Sequence, residues 1–153
     1  MSYLALKFLH ILGACLFLGN NLVTPLWKAL AERTRHPTVV AFSQRLVTLT
    51  DIIFTAGGIA LLLGAGQAMA ARQPGLWHQH WFLGAYSLFA LSGLVWLTLL
   101  LPIQVAQARL AHGFASGGPI PARYWVLSRR WMIAGAIASL LPFGSLALMV
   151  LKP

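Results

Sequence analysis

Apolar residues dominate four stretches of the chain, and polar residues collect between them. The four stretches cover residues 3–27, 46–70, 81–103 and 131–151. Each is long enough to cross the hydrocarbon core of a bilayer, which takes about 20 apolar residues in a helix. No stretch shows the period of two that a half-buried strand has. The pattern predicts an all-α protein: one integral membrane domain, residues 1–153, folded as a bundle of four transmembrane helices.

The composition supports a membrane protein. Of the 153 residues 59% are hydrophobic and 8% are charged, whereas soluble domains contain about 25% charged residues. The net charge of +9 does not predict a nucleic-acid partner, because the aromatic residues that could stack on bases lie in the membrane spans. The lipid bilayer is the expected partner. A single cysteine, Cys15, excludes an internal disulfide.

The basic residues are distributed unevenly over the connections. Eight of the eleven Lys and Arg residues lie in residues 28–45 and 104–130, and the connection between the second and third spans contains only Arg72. Connections rich in Lys and Arg stay in the cytoplasm. We therefore expect both termini on the periplasmic side of a bacterial inner membrane.

The second span also has small residues at four-residue spacing. Ala56, Ala60, Gly64 and Ala68 fall on one side of a helix. Faces of small residues let transmembrane helices approach each other closely. We expect another helix to pack on this face.

The first span carries polar residues that a helix surrounded by lipid would not keep. Lys7, His10 and Asn21 fall along one helical stripe, which must face protein, water or a cofactor. When the other spans are placed by their direction, further polar and sulfur-containing side chains reach the same periplasmic end as His10. This outer group contains Lys7, His10, Met69, His80, Met149 and Lys152.

The outer group can be interpreted as a haem site. A histidine about two turns below the surface of a four-helix bundle can bind haem iron through a ring nitrogen. His10 would be the axial ligand, and Lys7 and Lys152 could neutralise the haem propionates. A second ligand would come from Met69, His80 or Met149, or be absent.

Two other interpretations of the outer group remain open. Copper accepts imidazole and thioether ligands, so His78, His80, Met69 and Met149 could form a copper site. Alternatively, His10 is a neutral structural residue whose ring nitrogens are satisfied by a neighbouring hydroxyl or carbonyl group.

Asp51 is the only acidic residue within a predicted span. An acid inside the membrane is costly unless it is paired. We expect a structural clasp near the cytoplasmic end, in which an arginine neutralises Asp51 and an asparagine adds hydrogen bonds; a path for protons or substrate is the alternative. The candidate partners are Arg45, Arg129 and Arg130, with Asn20 or Asn21.

Hydrolytic motifs are absent from the chain. It has no phosphate-binding glycine loop, no nucleophile elbow, no HExxH motif and no pair of carboxylates for hydrolysis. A bundle of four spans also leaves little room for a solute path within one monomer. A transporter would therefore need a homo-oligomer, and a cofactor-free chain would fit the role of an accessory subunit in a larger membrane complex.

Three segments resemble a bacterial family of predicted integral membrane proteins of unassigned function: LKFLHILGACLFLGNNLVTPLWKAL (6–30), LTLLLPIQ (97–104) and MVLKP (149–153). More distantly, Lys7-x-x-His10-Ile11 and the terminal Lys152-Pro153 resemble HemJ-type protoporphyrinogen oxidases and CopD-type copper-resistance membrane proteins. In the HemJ relatives the histidine of the first helix binds haem b, and the resemblance implies that role for His10. It thereby implies a membrane-embedded haem-binding redox protein, with copper handling or a cofactor-free accessory role as alternatives.

Overall fold

A computed structural model describes residues 1–153, and four long helices account for most of them. Their bounds are Tyr3–Arg33 (α1), Pro37–Ala70 (α2), His80–Phe114 (α3) and Ala122–Leu151 (α4). All four are long and apolar enough to cross a membrane, and no strand is present. The predicted all-α bundle of four membrane helices is confirmed.

Short connections make consecutive helices antiparallel. Residues 34–36 and 115–121 join helices at one end of the bundle, which we call the basic end. Residues 71–79, with the 3₁₀ turn Leu76–His78, join α2 to α3 at the opposite end, which also holds both chain termini. We call this the terminal end.

The helices continue beyond the predicted spans at the basic end. Residues 28–33 belong to α1, and α2 begins at Pro37, although the sequence pattern placed residues 28–45 in a connection. Pro37 fits the first position of a helix because that position needs no N–H donor. All charged residues at this end except Arg35 are therefore carried on helices, where their side chains can meet those of neighbouring helices.

Two of the helices contain a wider turn near their middle. α2 is π-helical over Asp51–Ala56 and α3 over Trp96–Leu100. Pro102 follows the second segment, and a proline ring clashes with the carbonyl group four residues before it, so the wider turn relieves that clash. No proline accompanies the first segment, whose two ends carry Asp51 and Thr55 on the inward side.

The two halves of the bundle pack differently. Towards the basic end the four helices close around two apolar clusters, one containing Val40, Phe114 and Tyr124 and the other Val47 and Trp131. Towards the terminal end they pack as two pairs, α1 with α2 and α3 with α4. A cavity lies between these pairs.

Glycines bring the backbones of α1 and α2 into contact. A Cβ atom on Gly13 would lie 2.6 Å from the amide nitrogen of Leu62, and one on Gly58 would lie 2.9 Å from the amide nitrogen of Phe17. Side chains at these positions would push the two helices apart, so this pair is held by close backbone packing.

The small-residue face predicted for α2 is not the packing face. Ala56, Ala60 and Gly64 are exposed, whereas Gly58 and Ala65 are buried. α1 packs instead on the side of α2 that carries Gly58, whose Cβ position lies 2.9 Å from the amide nitrogen of Phe17.

Replacing Gly13 with alanine should destabilise the protein, whereas the same replacement at Gly64 should not. The Gly13→Ala methyl group meets backbone atoms that cannot move aside, so we expect the free energy of unfolding to fall by about 1–3 kcal/mol. Gly64 has no atom within 4 Å of its Cβ position, so Gly64→Ala should be neutral or stabilising by up to about 1 kcal/mol. Thermal unfolding in detergent measures both variants, and equal stabilities would contradict the proposed close packing.

Candidate functional site

Helix α1 turns a polar face into the basic half of the bundle. Asn20, Thr24, Lys28 and Glu32 follow one another at four-residue intervals and therefore lie on one side of the helix. Two connected sets of buried polar side chains are built on this face. We call them the Asp51 group (Asn20, Thr24, Asp51, Thr55 and Gln104) and the Lys28 group (Lys28, Glu32, Gln44, Tyr124 and Ser128).

Neutral donors surround the carboxylate in the Asp51 group. Asn20 Nδ2 donates to Asp51 Oδ1 at 2.9 Å, and Gln104 Nε2 donates to Oδ2 at 2.8 Å. Thr55 Oγ1 adds a third bond to Oδ1 at 3.1 Å, while Thr24 Oγ1 donates to Asn20 Oδ1 at 2.8 Å and orients that amide. The group joins α1, α2 and α3 at one depth.

The partners of Asp51 differ from those expected from the sequence. Asn20, rather than Asn21, bonds the carboxylate, and the candidate arginines do not reach it. At this depth hydrogen bonds from neutral groups satisfy the carboxylate, and the arginines gain more by staying in water. Arg45, Arg129 and Arg130 are all exposed.

Lys28 is the centre of the second group and is fully buried. Its Nζ atom donates to Glu32 Oε1 at 2.7 Å, Gln44 Oε1 at 2.8 Å and Tyr124 Oη at 3.1 Å. An ammonium group has three donors, so every one of them is used. The Lys28–Glu32 contact is the one salt bridge in the structure.

The carboxylate of Glu32, the partner of Lys28, is also hydrogen-bonded by several groups. Ser128 Oγ lies 2.6 Å from Oε1 and 2.7 Å from Oε2, and Tyr124 Oη donates to Oε1 at 3.1 Å. The Lys28 group therefore joins α1, α2 and α4. Together the two groups tie all four helices through polar contacts in the basic half.

The apolar pattern of the sequence does not reveal the Lys28 group. The apolar run ends at Trp27, so the pattern places Lys28 in a connection. The i,i+4 spacing of Lys28 and Glu32, which favours an ion pair on a helix, is the signal that could have revealed it.

A cavity of about 550 Å³ lies between the two helix pairs and ends on the Asp51 group. Apolar and aromatic side chains from all four helices form most of its lining. Among the polar lining residues are Asn20, Asn21, Thr24, Asp51 and Trp131. Such a size, with apolar walls and a few polar groups, is typical of small-molecule sites in proteins.

Several buried polar atoms near the two groups have no hydrogen-bond partner within the protein. They include the indole Nε1 of Trp131, which lines the cavity, and both amide atoms of Gln107. Buried polar atoms in native proteins are nearly always hydrogen-bonded. The unpaired atoms therefore mark places where a ligand or water would bind.

His10 lies in the α1–α2 contact. Its Nδ1 atom is 2.8 Å from the carbonyl oxygen of Leu62; because a carbonyl only accepts, Nδ1 is the donor and Nε2 keeps its lone pair. Gly66 leaves room for the ring, since a Cβ there would lie 3.0 Å from Nδ1. The ring is half-buried and is not part of the lining of the large cavity.

The other members of the outer group are dispersed at the terminal end. Lys152 Nζ stands 5.2 Å from the centroid of the Trp81 ring. None of the predicted haem or copper residues forms a hydrogen bond with another, and no three His, Cys, Asp or Glu side chains are grouped for a metal ion. Lys7, His78, His80 and Lys152 are exposed, and Met69 and Met149 are half-buried.

The sequence also matches a known protein family. Residues 4–153 match the family described as "Predicted integral membrane protein (DUF2269)". The chain belongs to this family. The match agrees with four membrane-spanning helices and makes the chain a multi-pass integral membrane protein, in contact with the lipid bilayer.

Curated proteins and solved structures gave no match. The resemblance of the first helix to HemJ-type and CopD-type proteins therefore has no support from these comparisons.

Removing Lys28 alone should destabilise the protein strongly. In Lys28→Met the carboxylate of Glu32 stays largely buried without its counter-ion, and breaking such a pair costs about 3–5 kcal/mol. The double variant Lys28→Met, Glu32→Met removes both charges and should recover at least half of that loss. The exposed Arg129→Gln serves as the control and should stay within about 0.5 kcal/mol of wild type.

Unfolding in detergent measures these stabilities. A Lys28→Met protein as stable as wild type, or a double variant less stable than Lys28→Met, would show that the ion pair does not hold the basic half together.

Proposed function

We propose that this protein binds a small, largely apolar molecule in the cavity between the two helix pairs. The observation that carries the proposal is the cavity of about 550 Å³, with apolar walls and the unpartnered indole N–H of Trp131. Trp131 is buried, with only 8% of its surface exposed to solvent. A ligand that fills the cavity would also supply the missing acceptor.

The lining indicates which ligands suit the cavity. The donors of Asn20 and Thr24 are engaged within the Asp51 group, which leaves the Trp131 indole N–H and the side-chain amide of Asn21, another lining residue, for a ligand. An apolar molecule with a carbonyl, hydroxyl or ether oxygen would place that oxygen on the indole N–H and its body among the aromatic walls. Such molecules partition into the bilayer, from which a cavity between membrane helices is accessible without passage through water.

The distribution of charge supports one orientation of the protein in the membrane. Arg33, Arg35, Arg109 and Arg123 join the other basic residues of the basic end. By the positive-inside rule this end faces the cytoplasm. In a bacterial inner membrane the cavity would then lie on the periplasmic side of the Asp51 group.

Replacing Trp131 with phenylalanine should weaken ligand retention. Trp131→Phe keeps an aromatic ring but removes its N–H donor, and a net hydrogen bond is worth about 1 kcal/mol, which is roughly a five- to tenfold change in affinity. Organic extraction of the detergent-purified protein, followed by mass spectrometry, should identify a molecule at near-stoichiometric amount in wild type and at a fraction of it in the variant.

Trp77→Phe is the matched control, because Trp77 lies outside the cavity lining. It should retain the molecule as wild type does. Extraction of nothing but bulk phospholipid, in the same amount from all three proteins, would overturn the proposal.

Binding of a b-type haem by His10 is a second candidate function, favoured by one observation. The Leu62 carbonyl accepts the Nδ1 proton at 2.8 Å, and ligating histidines commonly donate their second nitrogen to a carbonyl in this way. Nε2 would be the ligand atom, and the exposed Lys7, one turn earlier on the helix, is available to a propionate. A bound haem would supply one-electron chemistry.

Optical spectroscopy tests the haem candidate. Protein purified from haem-supplemented cells should show a Soret band that is lost in His10→Ala and kept in His78→Ala, a histidine exposed at the same end. Absence of the band from wild type, or its persistence in His10→Ala, would remove this candidate and leave the cavity proposal untouched.

A further inference from the structure

We propose that the interior of the basic half is a hydrated path along which protons pass between the basic end and Asp51. The path is lined by three buried glutamines: Gln104 of the Asp51 group, Gln44 of the Lys28 group, and Gln107, one turn from Gln104 on α3. This proposal does not depend on a ligand in the cavity.

The glutamine amides are the first observation. Gln107 is fully buried, and neither its oxygen nor its nitrogen has a partner within the protein. Gln44 Nε2 and Gln104 Oε1 are buried and unpartnered as well. In a bundle core an amide without a protein partner takes up water, which typically makes about three hydrogen bonds to such groups.

The positions of the amides are the second observation. Gln104 and Gln107 stand one turn apart on the inward face of α3, and Gln44 lies seven residues before Asp51 on α2. Seven residues of helix rise about 10 Å, so the glutamines span the interval between the two polar groups. Water held there would connect Gln104, on the carboxylate of Asp51, to Gln44, on the ammonium of Lys28.

Each end of the path is hydrogen-bonded to a charged or titratable side chain. Gln104 Nε2 and Gln44 Oε1 are bonded to the two groups, at 2.8 Å in each case. Beyond Lys28, the side chain of Glu32 is 14% exposed and reaches the solution at the basic end. The hydroxyl groups of Tyr124 and Ser128 bond its carboxylate, so the chain of exchangeable protons continues to the surface.

Asp51 is the one group at its depth that can accept and release a proton. Its neighbours from the packed helices are neutral: Asn20 and Thr24 on α1, Thr55 on α2 and Gln104 on α3. No titratable side chain of α4 bonds to it. The remaining titratable or charged groups of the basic half are Lys28, Glu32 and Tyr124 inside the bundle. The others are exposed: Arg33, Arg35, His36, Arg45, Arg109, His112, Arg123, Arg129 and Arg130.

The composition of the chain makes this proposal directly testable by infrared spectroscopy. Asp51 and Glu32 are its only acidic side chains, so the carbonyl stretch of a protonated acid can be assigned with Asp51→Asn and Glu32→Gln. The full-length protein in lipid nanodiscs is titrated between about pH 4 and pH 9 and then transferred from H₂O to D₂O at a pH where the Asp51 band is present. The expected result is a reversible Asp51 band whose deuterium shift is complete within the mixing time of the experiment.

Closing the path should slow this exchange. Gln107→Leu replaces both unpartnered amide atoms with apolar ones of similar size, and we expect the Asp51 shift to slow at least tenfold. Gln44→Leu tests the same path from α2 should Gln107→Leu fail to fold. Thr98→Val, on the exposed face of α3, is the control and should exchange as wild type does.

Three outcomes would overturn the proposal. The first is the absence of an Asp51 acid band at any pH. The second is a wild-type band that does not shift in D₂O over minutes. The third is exchange at the wild-type rate in both Gln107→Leu and Gln44→Leu when these variants are folded. The first two would mean a dry, structural clasp, and the third would mean that protons reach Asp51 through the cavity.

Discussion

The three hydrogen bonds of the buried Lys28 ammonium group hold the basic half of this protein together. They go to Glu32 on α1, Gln44 on α2 and Tyr124 on α4. In a bundle surrounded by lipid, helices gain little from the hydrophobic effect when they associate, because acyl chains are as apolar as their side chains. A fully satisfied charge fixes the relative rotation of three helices, since any other arrangement leaves the ammonium group unpaired.

The terminal half is built on a different interaction, and the cavity follows from that difference. There α1 and α2 meet through Gly13 and Gly58, and α3 meets α4 where a Cβ atom added to Gly84 or Gly144 would lie 3.1 or 3.2 Å from a leucine side chain. Each contact joins the two members of one pair. With the basic half closed by polar contacts and the terminal half held as pairs, the two pairs separate at mid-depth, and the cavity lies between them.

The apolar pattern was sufficient to predict four helices and their order, because runs of that length have one stable solution in a bilayer. It did not predict where the helices end, since Lys28 was interpreted as leaving the membrane when it is in fact buried. Nor did it predict the partners of Asp51: charge alone favoured Arg129 or Arg130, whereas Asn20 and Gln104 bond it. The arginines are exposed and stay in water, and the wider turn at Asp51–Ala56 has no proline or other local signal in the sequence.

Trp131 connects the two halves and gives the cavity a means of affecting the ion pair. Its side chain belongs to the cavity lining, and the centroid of its ring lies 5.7 Å from Lys28 Nζ, while that of the Tyr124 ring lies at 5.2 Å. A cation beside an aromatic face is sensitive to the position of that ring, more so in a desolvated site. A ligand oxygen on the indole N–H would hold the ring in place and thereby stabilise its cation–π contact with the ammonium group. By linkage, any stabilisation of the Lys28 ammonium group by a bound ligand would be matched by an equal gain in the affinity for that ligand.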